Sequence, residues 1–377
     1  MASKRGAPVR GLESVVAADT HLSFVDGSNG KLYYRGYDIN ELAGRVCYEE
    51  IVHLLWFGEL PTQKQHSDMR RALVVDMRLP AQVTEMLRQM PPRANPMVVL
   101  RTALSALGMF DPDGGKNSEG ANLRKAHRIL GQVATIVAAL HRIRTGRPLV
   151  SADARMSFSE NFLYMFSGEA PDRTENSVFD TLLVLHADHG LAASTFAARA
   201  TVSTLAGLHS AISAALASLK GPLHGGANTR VMKMLEEIGK IEHVEAYING
   251  MMARGQRIMG FGHRMYKTED PRSAHLRRYS EKLCRRRDLQ HLHEISHRIE
   301  NMVREKKGIR PNVDFYSATV QAALGIPKEY YTCIFAVART AGWIAHVLEQ
   351  FNDNRLIRPT SNYVGGFDRK FVSMEKR

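Results

Sequence analysis

Residues 330–351 read YYTCIFAVARTAGWIAHVLEQF. The run is apolar almost all the way round a helical wheel, so it is expected to be a core helix and not a surface one. Arg339 stands in its middle. A buried guanidinium is costly unless an anion meets it. That anion is either an internal Asp or Glu or the carboxylate of a ligand. Outward from this helix the same period recurs in Ile51, Leu54 and Leu55, in Leu276, Tyr279 and Leu283, and in Leu292, Ile295, Ile299 and Met302. Strand signals are few. The best is LSFVDGSNGKLYYRG, two short runs about Asp26–Gly30 that read as a β-hairpin with a longer loop. The fold class is therefore mostly α.

With 377 residues, 44% of them apolar, the chain is long enough for one large domain or two joined ones. The most apolar region, Ala192 to Leu219, is broken by Arg199, His209 and several Ser and Thr, and reads as buried helix, not a membrane span. The segments Asp111–Asn122 and Ser167–Ser177 read as exposed loops. From about Gly225 to Leu324 the chain turns rich in Arg and Lys, as in EKLCRRRDLQ. That shift fits a smaller inserted domain (225–324) between two parts of a larger one (1–224 and 325–377).

The 51 basic and 38 acidic residues leave a formal charge of +13, which favours anionic partners without choosing among them. No zinc-finger, RNP-like or basic-zipper pattern accompanies it, so a basic helical nucleic-acid-binding protein is a remote reading. Three scattered cysteines make neither a disulfide framework nor a metal site and fit a reducing compartment. The opening MASKRGAPVRGLESVV has no apolar core for a signal peptide.

Four further sites put polar groups in apolar or glycine-rich settings. In HADHG, His186 and His189 are spaced to share a helical face, which raises metal binding, but no third ligand follows nearby. In GPLHGGAN, His224 sits in a tight turn whose glycines allow close approach, ahead of a helix start with free N–H groups. In MGFGHRMYKTEDPR, His263 follows a Gly-x-Gly turn, Asp270 reads as an N-cap, and Pro271 as the first helical residue. Arg272 then falls in the first turn. In RPNVDFYSATVQAALG, Asp314 is either a helix cap or a base, and nothing local separates the two.

In this order the segments resemble the citrate synthase family. The likeness runs from GLESVVAADTHLSFVDG and YRGYDI through HADH, GPLHGGAN, GFGHRMYK, DPR and NVDFYS to ARTAGWIAHVLEQ and RPTSNYVG. The resemblance implies a mostly α, two-domain fold working as a homodimer, with enzyme sequence starting too early for an organellar presequence. It implies condensation of acetyl-CoA with oxaloacetate in the tricarboxylic acid cycle, in the cytoplasm, with no cofactor or metal and no nucleic-acid or membrane partner. His224, His263 and Asp314 match the catalytic trio. His189, Arg272, Arg339 and Arg358 match the oxaloacetate contacts, Arg358 being supplied by the neighbouring subunit. Lys267, Lys306 and Lys307 match CoA contacts. The chain departs from the pattern at Gly190, Ala192, Arg310 and Ala318. These changes keep 2-methylcitrate synthase, which uses propionyl-CoA, as the alternative.

Overall fold

The computed structural model describes residues 9–13 and 15–377. Most of the N-terminal stretch read above as lacking a signal peptide lies outside them. The hairpin forms as expected, β1 (Ser23–Asp26) pairing antiparallel with β2 (Lys31–Tyr34) in the register Ser23↔Tyr34 and Asp26↔Lys31. The Asp26 carboxylate accepts from the Ser28 and Asn29 N–H groups and closes the loop. A third strand, β3 (Tyr37–Asp38), extends the sheet. The link is Arg35-Gly36, both at positive φ, which suits a two-residue hairpin turn.

The rest of the described chain is helical: α1 (Ile39–Leu42), α2 (Tyr48–Phe57), α3 (Gln63–Val75), α4 (Ala81–Gln89), α5 (Pro96–Phe110) and α6 (Glu119–Arg144). Next come α7 (Phe158–Ser167), α8 (Arg173–His186), α9 (Ala193–Val202), α10 (Leu208–Leu219) and α11 (Ala227–Ile238). The last are α12 (Val244–Ala253), α13 (Pro271–Arg286), α14 (Gln290–Lys307), α15 (Val313–Ala323) and α16 (Tyr331–Asn352). Helix α16 is the axis, packed against α2, α5, α6, α8, α9, α10 and α11. With its lead-in turn it is long and apolar enough to cross a membrane, but 89% of that window is buried inside the protein, which makes it a core helix. Small residues let neighbours approach it closely. A Cβ on Gly342 would lie 2.3 Å from the Ala187 carbonyl oxygen. Helices α11 to α15 form a second packed group, with α13 and α11 on α15, and α14 on α12 and α13.

Four local readings change. Ala192–Leu219 is two helices, α9 and α10, separated by a turn at Leu205 and Gly207, both at positive φ. The Asp111–Asn122 loop ends at Ser118. It is exposed as expected except at Asp111 and Asp113, which turn inward to pair with Arg124 and Arg128 of α6. The second loop is only Gly168–Asp172. Gly168 caps α7, and the Asp172 side chain accepts from the Thr174 and Glu175 N–H groups to open α8. Finally, α8 stops at His186, so His186 and His189 do not share a helical face.

Candidate active site

The turn carrying His189 is held by the hairpin. The Tyr34 hydroxyl donates to the Asp188 carbonyl at 2.9 Å, and Ser23 Oγ donates to Asp188 Oδ2 at 2.5 Å. The Gly190 N–H donates back to Ser23 Oγ at 2.9 Å, so the turn is fixed on both sides of His189. His189 Nε2 pairs with the Tyr266 hydroxyl at 3.1 Å, and its ring meets that of His263 edge-on at 5.1 Å. His186 points elsewhere, its Nδ1 bonding the Leu182 carbonyl at 2.7 Å inside the core. Among the described residues no group of three or more His, Cys, Asp or Glu is arranged to hold a metal ion.

His224 lies between α10 and α11 in a turn that only glycine permits: a Cβ on Gly225 would sit 2.0 Å from the Leu219 carbonyl oxygen. The Ser194 N–H donates to His224 Nε2 at 3.3 Å, and Ser194 Oγ lies 2.8 Å from the same nitrogen. Trp343 Nε1–H donates to that Oγ at 3.1 Å, which leaves the hydroxyl hydrogen free to point at the imidazole. Nε2 is thus the acceptor, and the proton of the neutral ring sits on Nδ1. Burial, and then the charge of Arg339, push this histidine down to about 4, so it is neutral near pH 7.

His263 has the opposite tautomer. Its Nδ1 accepts from the Met265 and Tyr266 N–H groups at 3.0 and 3.3 Å, which leaves the proton on Nε2. Burial, with Arg272 adding to it, lowers this ring to about 4 as well. The loop is shaped by Gly260 and Gly262, both at positive φ. A Cβ on Gly260 would lie 2.8–2.9 Å from Phe315 and Val231. The hairpin supports the far side: the Lys267 N–H donates to the Gly27 carbonyl at 2.8 Å, and a Cβ on Gly27 would sit 2.0 Å from the Met265 carbonyl oxygen.

Asp270 and Pro271 open α13 as expected, the Asp270 side chain accepting from the Arg272 N–H. The same carboxylate takes two bonds from the Arg272 guanidinium, at 2.9 and 2.8 Å, and one from the Val313 N–H at 3.1 Å. It therefore ties the starts of α13 and α15 together. Arg272 is 2% exposed.

Asp314 proves not to be the cap. Asn312 caps α15, accepting from the Asp314 N–H at 3.0 Å, and Asp314 is the second helical residue. Among the described residues its carboxylate accepts no hydrogen bond and no cation lies within ion-pair distance of it. Burial raises it to about 6 against the pull of Arg272. Arg339, 1% exposed, likewise has no carboxylate within ion-pair distance among the described residues. Its Nε donates to the His186 carbonyl at 2.6 Å, and its charge lies 4.6 Å from the Phe335 ring centroid. The internal anion considered for this residue is Asp188, which acts on its charge from beyond ion-pair distance without cancelling the cost of burial. Arg272 acts on His263 and Asp314, while Arg339 acts on His224 and Asp314, so the three groups share one electrostatic field.

The remaining matched residues lie outside this cluster. The Arg358, Lys267 and Lys307 side chains are exposed, and Lys306 Nζ donates to Asn249 Oδ1 at 2.6 Å on the surface. Ser194, Trp343, Tyr266 and Asn312 escaped the sequence reading. Two of them carried a signal: a Trp N–H in a core helix needs an acceptor, and Asn two residues ahead of Asp is a cap pattern.

The sequence profile of the citrate synthase C-terminal domain matches residues 11–360. "Citrate synthase 2" of Bacillus subtilis is 45% identical, covering 98% of this chain and 99% of the relative. The "Citrate/2-methylcitrate synthase" of the same organism is 40% identical over 94% and 96% of the two chains. The solved ternary complex of carboxymethyl coenzyme A and oxaloacetate with citrate synthase from Thermoplasma acidophilum superposes with a TM-score of 0.92. It is 33% identical and covers 97% of this chain and 98% of the other. The mostly helical chain is thus an acyltransferase of the kind that turns the acyl group into an alkyl one on transfer. It belongs to the citrate synthase family.

Proposed function

We propose that the chain condenses acetyl-CoA with oxaloacetate and hydrolyses citryl-CoA to citrate and CoA, with His224, His263 and Asp314 as the catalytic groups. The observation that carries this reading is a pair of neutral histidines of opposite tautomer in the same arginine field as an unpartnered carboxylate raised to about 6. The methyl of acetyl-CoA is a very weak acid. Asp314 removes its proton while the Nδ1–H of His224 donates to the thioester oxygen, where the enolate charge grows. The Nε2–H of His263 polarises the oxaloacetate carbonyl and passes its proton as the carbon–carbon bond forms. Arg272, Arg339 and His189 hold the dicarboxylate, and Arg358 reaches the site from the second subunit of a homodimer. Lys267, Lys306 and Lys307 meet the CoA phosphates. No cofactor or metal takes part in this scheme, and the free cysteines suit a cytoplasmic setting.

The test is release of CoA thiol from purified protein given oxaloacetate with either acetyl-CoA or propionyl-CoA. Acetyl-CoA is expected to give the higher kcat/KM, by roughly 10- to 200-fold, the range one methylene is worth in a pocket. Equal or better turnover of propionyl-CoA would reverse the choice in favour of 2-methylcitrate.

The reading extends to a conformational step between the larger domain (1–224 and 325–377) and the inserted one (225–324). His263, Arg272 and Asp314 belong to the inserted segment and Arg339 to the larger part, so oxaloacetate held by both draws them together. The bond between Lys267 and Gly27 is a contact of that kind. Oxaloacetate is expected to shrink the scattering radius of gyration and tighten a CoA analogue. No change in either would remove the step.

A further inference from the structure

Arg230 lies in the first turns of α11, six residues after His224. Its Nη2–H donates to the carbonyls of Pro222 and Gly225 at 3.1 and 3.4 Å, one on each side of His224. Its Nε–H donates to Met259 Sδ at 3.3 Å, immediately ahead of the Gly260–Gly262 turn that presents His263. One half-buried side chain therefore bonds to both histidine loops. None of these bonds involves a carboxylate, so the full positive charge is left to act on its surroundings.

Resting on the reaction proposed above, we infer that Arg230 is a positioning residue: its guanidinium fork sets the His224 turn against the His263 loop and holds a positive charge toward Asp314. The turn needs such a tie. It is built on glycines, with Gly226 at positive φ, and Leu223 at its tip is 97% exposed, so apolar packing does little to fix it. Asp314 also faces Arg272 and Asp270 from the start of α13 and Arg339 from α16. Arg272, already matched by Asp270, and Arg339 are both assigned to oxaloacetate. Arg230 is then the cation whose effect on Asp314 persists when substrate binds.

The experiment compares the full-length protein with Arg230→Met and Arg230→Lys, reading kcat, the KM for oxaloacetate, the acid limb of the kcat profile, and Tm. Met keeps the apolar stem and removes charge and fork, while Lys keeps the charge alone. Arg230→Met is expected to lose about ten- to a hundredfold in kcat, as small misplacements of catalytic groups do. Its KM for oxaloacetate should stay put, and its acid limb should move to higher pH. Arg230→Lys should return the limb to its wild-type position and recover only part of kcat. A Met variant with wild-type kcat and limb overturns the inference. So does a loss explained wholly by unfolded protein, with the limb unmoved. A wild-type enzyme that releases no CoA would instead remove the proposed reaction, a result distinct from an active wild type with an unaltered variant.

Discussion

Asp314→Asn is expected to lower kcat by about a thousandfold, within the range that a positioned general base supplies. The variant should fold normally, because Asn312 and not Asp314 caps α15, and the carboxylate holds no other described group in place. The pH profile makes the claim sharper. A carboxylate raised to about 6 by burial must be ionised to accept a proton. Wild-type kcat/KM, which reports the free enzyme, should therefore hold steady above that pH and fall about tenfold for each unit below it. Both histidines, at about 4, stay neutral through that window and add no break of their own. In the Asn variant the limb should vanish along with the rate. Activity within tenfold of wild type, or an acid limb that survives the substitution, would assign proton abstraction to another group.

The second large effect is expected at Arg339→Met. Removing one member of a buried charge-paired contact costs about 2–5 kcal/mol, which is roughly thirty- to several-thousandfold in the KM for oxaloacetate. Stability should move the other way. Without substrate the guanidinium is buried against one carbonyl and one aromatic ring, and Asp188, beyond ion-pair distance, offsets only part of its desolvation. A Met of similar length relieves that penalty at the loss of one hydrogen bond. The ligand-free Tm is expected to be equal to or above that of wild type, the trade between stability and function common at binding sites. A marked fall in Tm with an unchanged KM would make Arg339 a structural residue.

Much of this was legible in the sequence for identifiable reasons. Helix α16 announced itself because an all-round apolar run has one use in a globular protein, and Arg339 stood out against it. Asp270-Pro271 was readable because cap and first-turn chemistry act within a few residues. Strand β3 was not readable, since two residues carry no period. The break between α9 and α10 was hidden because it falls at Leu205 and Gly207 inside an otherwise Ala-rich stretch. Cap and base could not be told apart at Asp314 by judging one acidic residue without its neighbour Asn312, which is the cap. The tautomers of His224 and His263 depend on partners 30 residues away (Ser194) and two or three residues ahead (Met265, Tyr266). Only the folded loop geometry decides which ring nitrogen those donors reach.

The central position of α16 also bears on how the chain is made. It is the last α-helix of the described chain to leave the ribosome, yet helices as early as α2 bury their apolar faces against it. Those faces stay uncovered through most of translation, and the core closes only across large sequence separations, which slows folding and exposes the nascent chain to association. Arg339, the residue proposed to hold oxaloacetate, sits on this closing helix. The proposed binding site would therefore come into being in the same event that completes the core, and a chain interrupted before α16 would have neither.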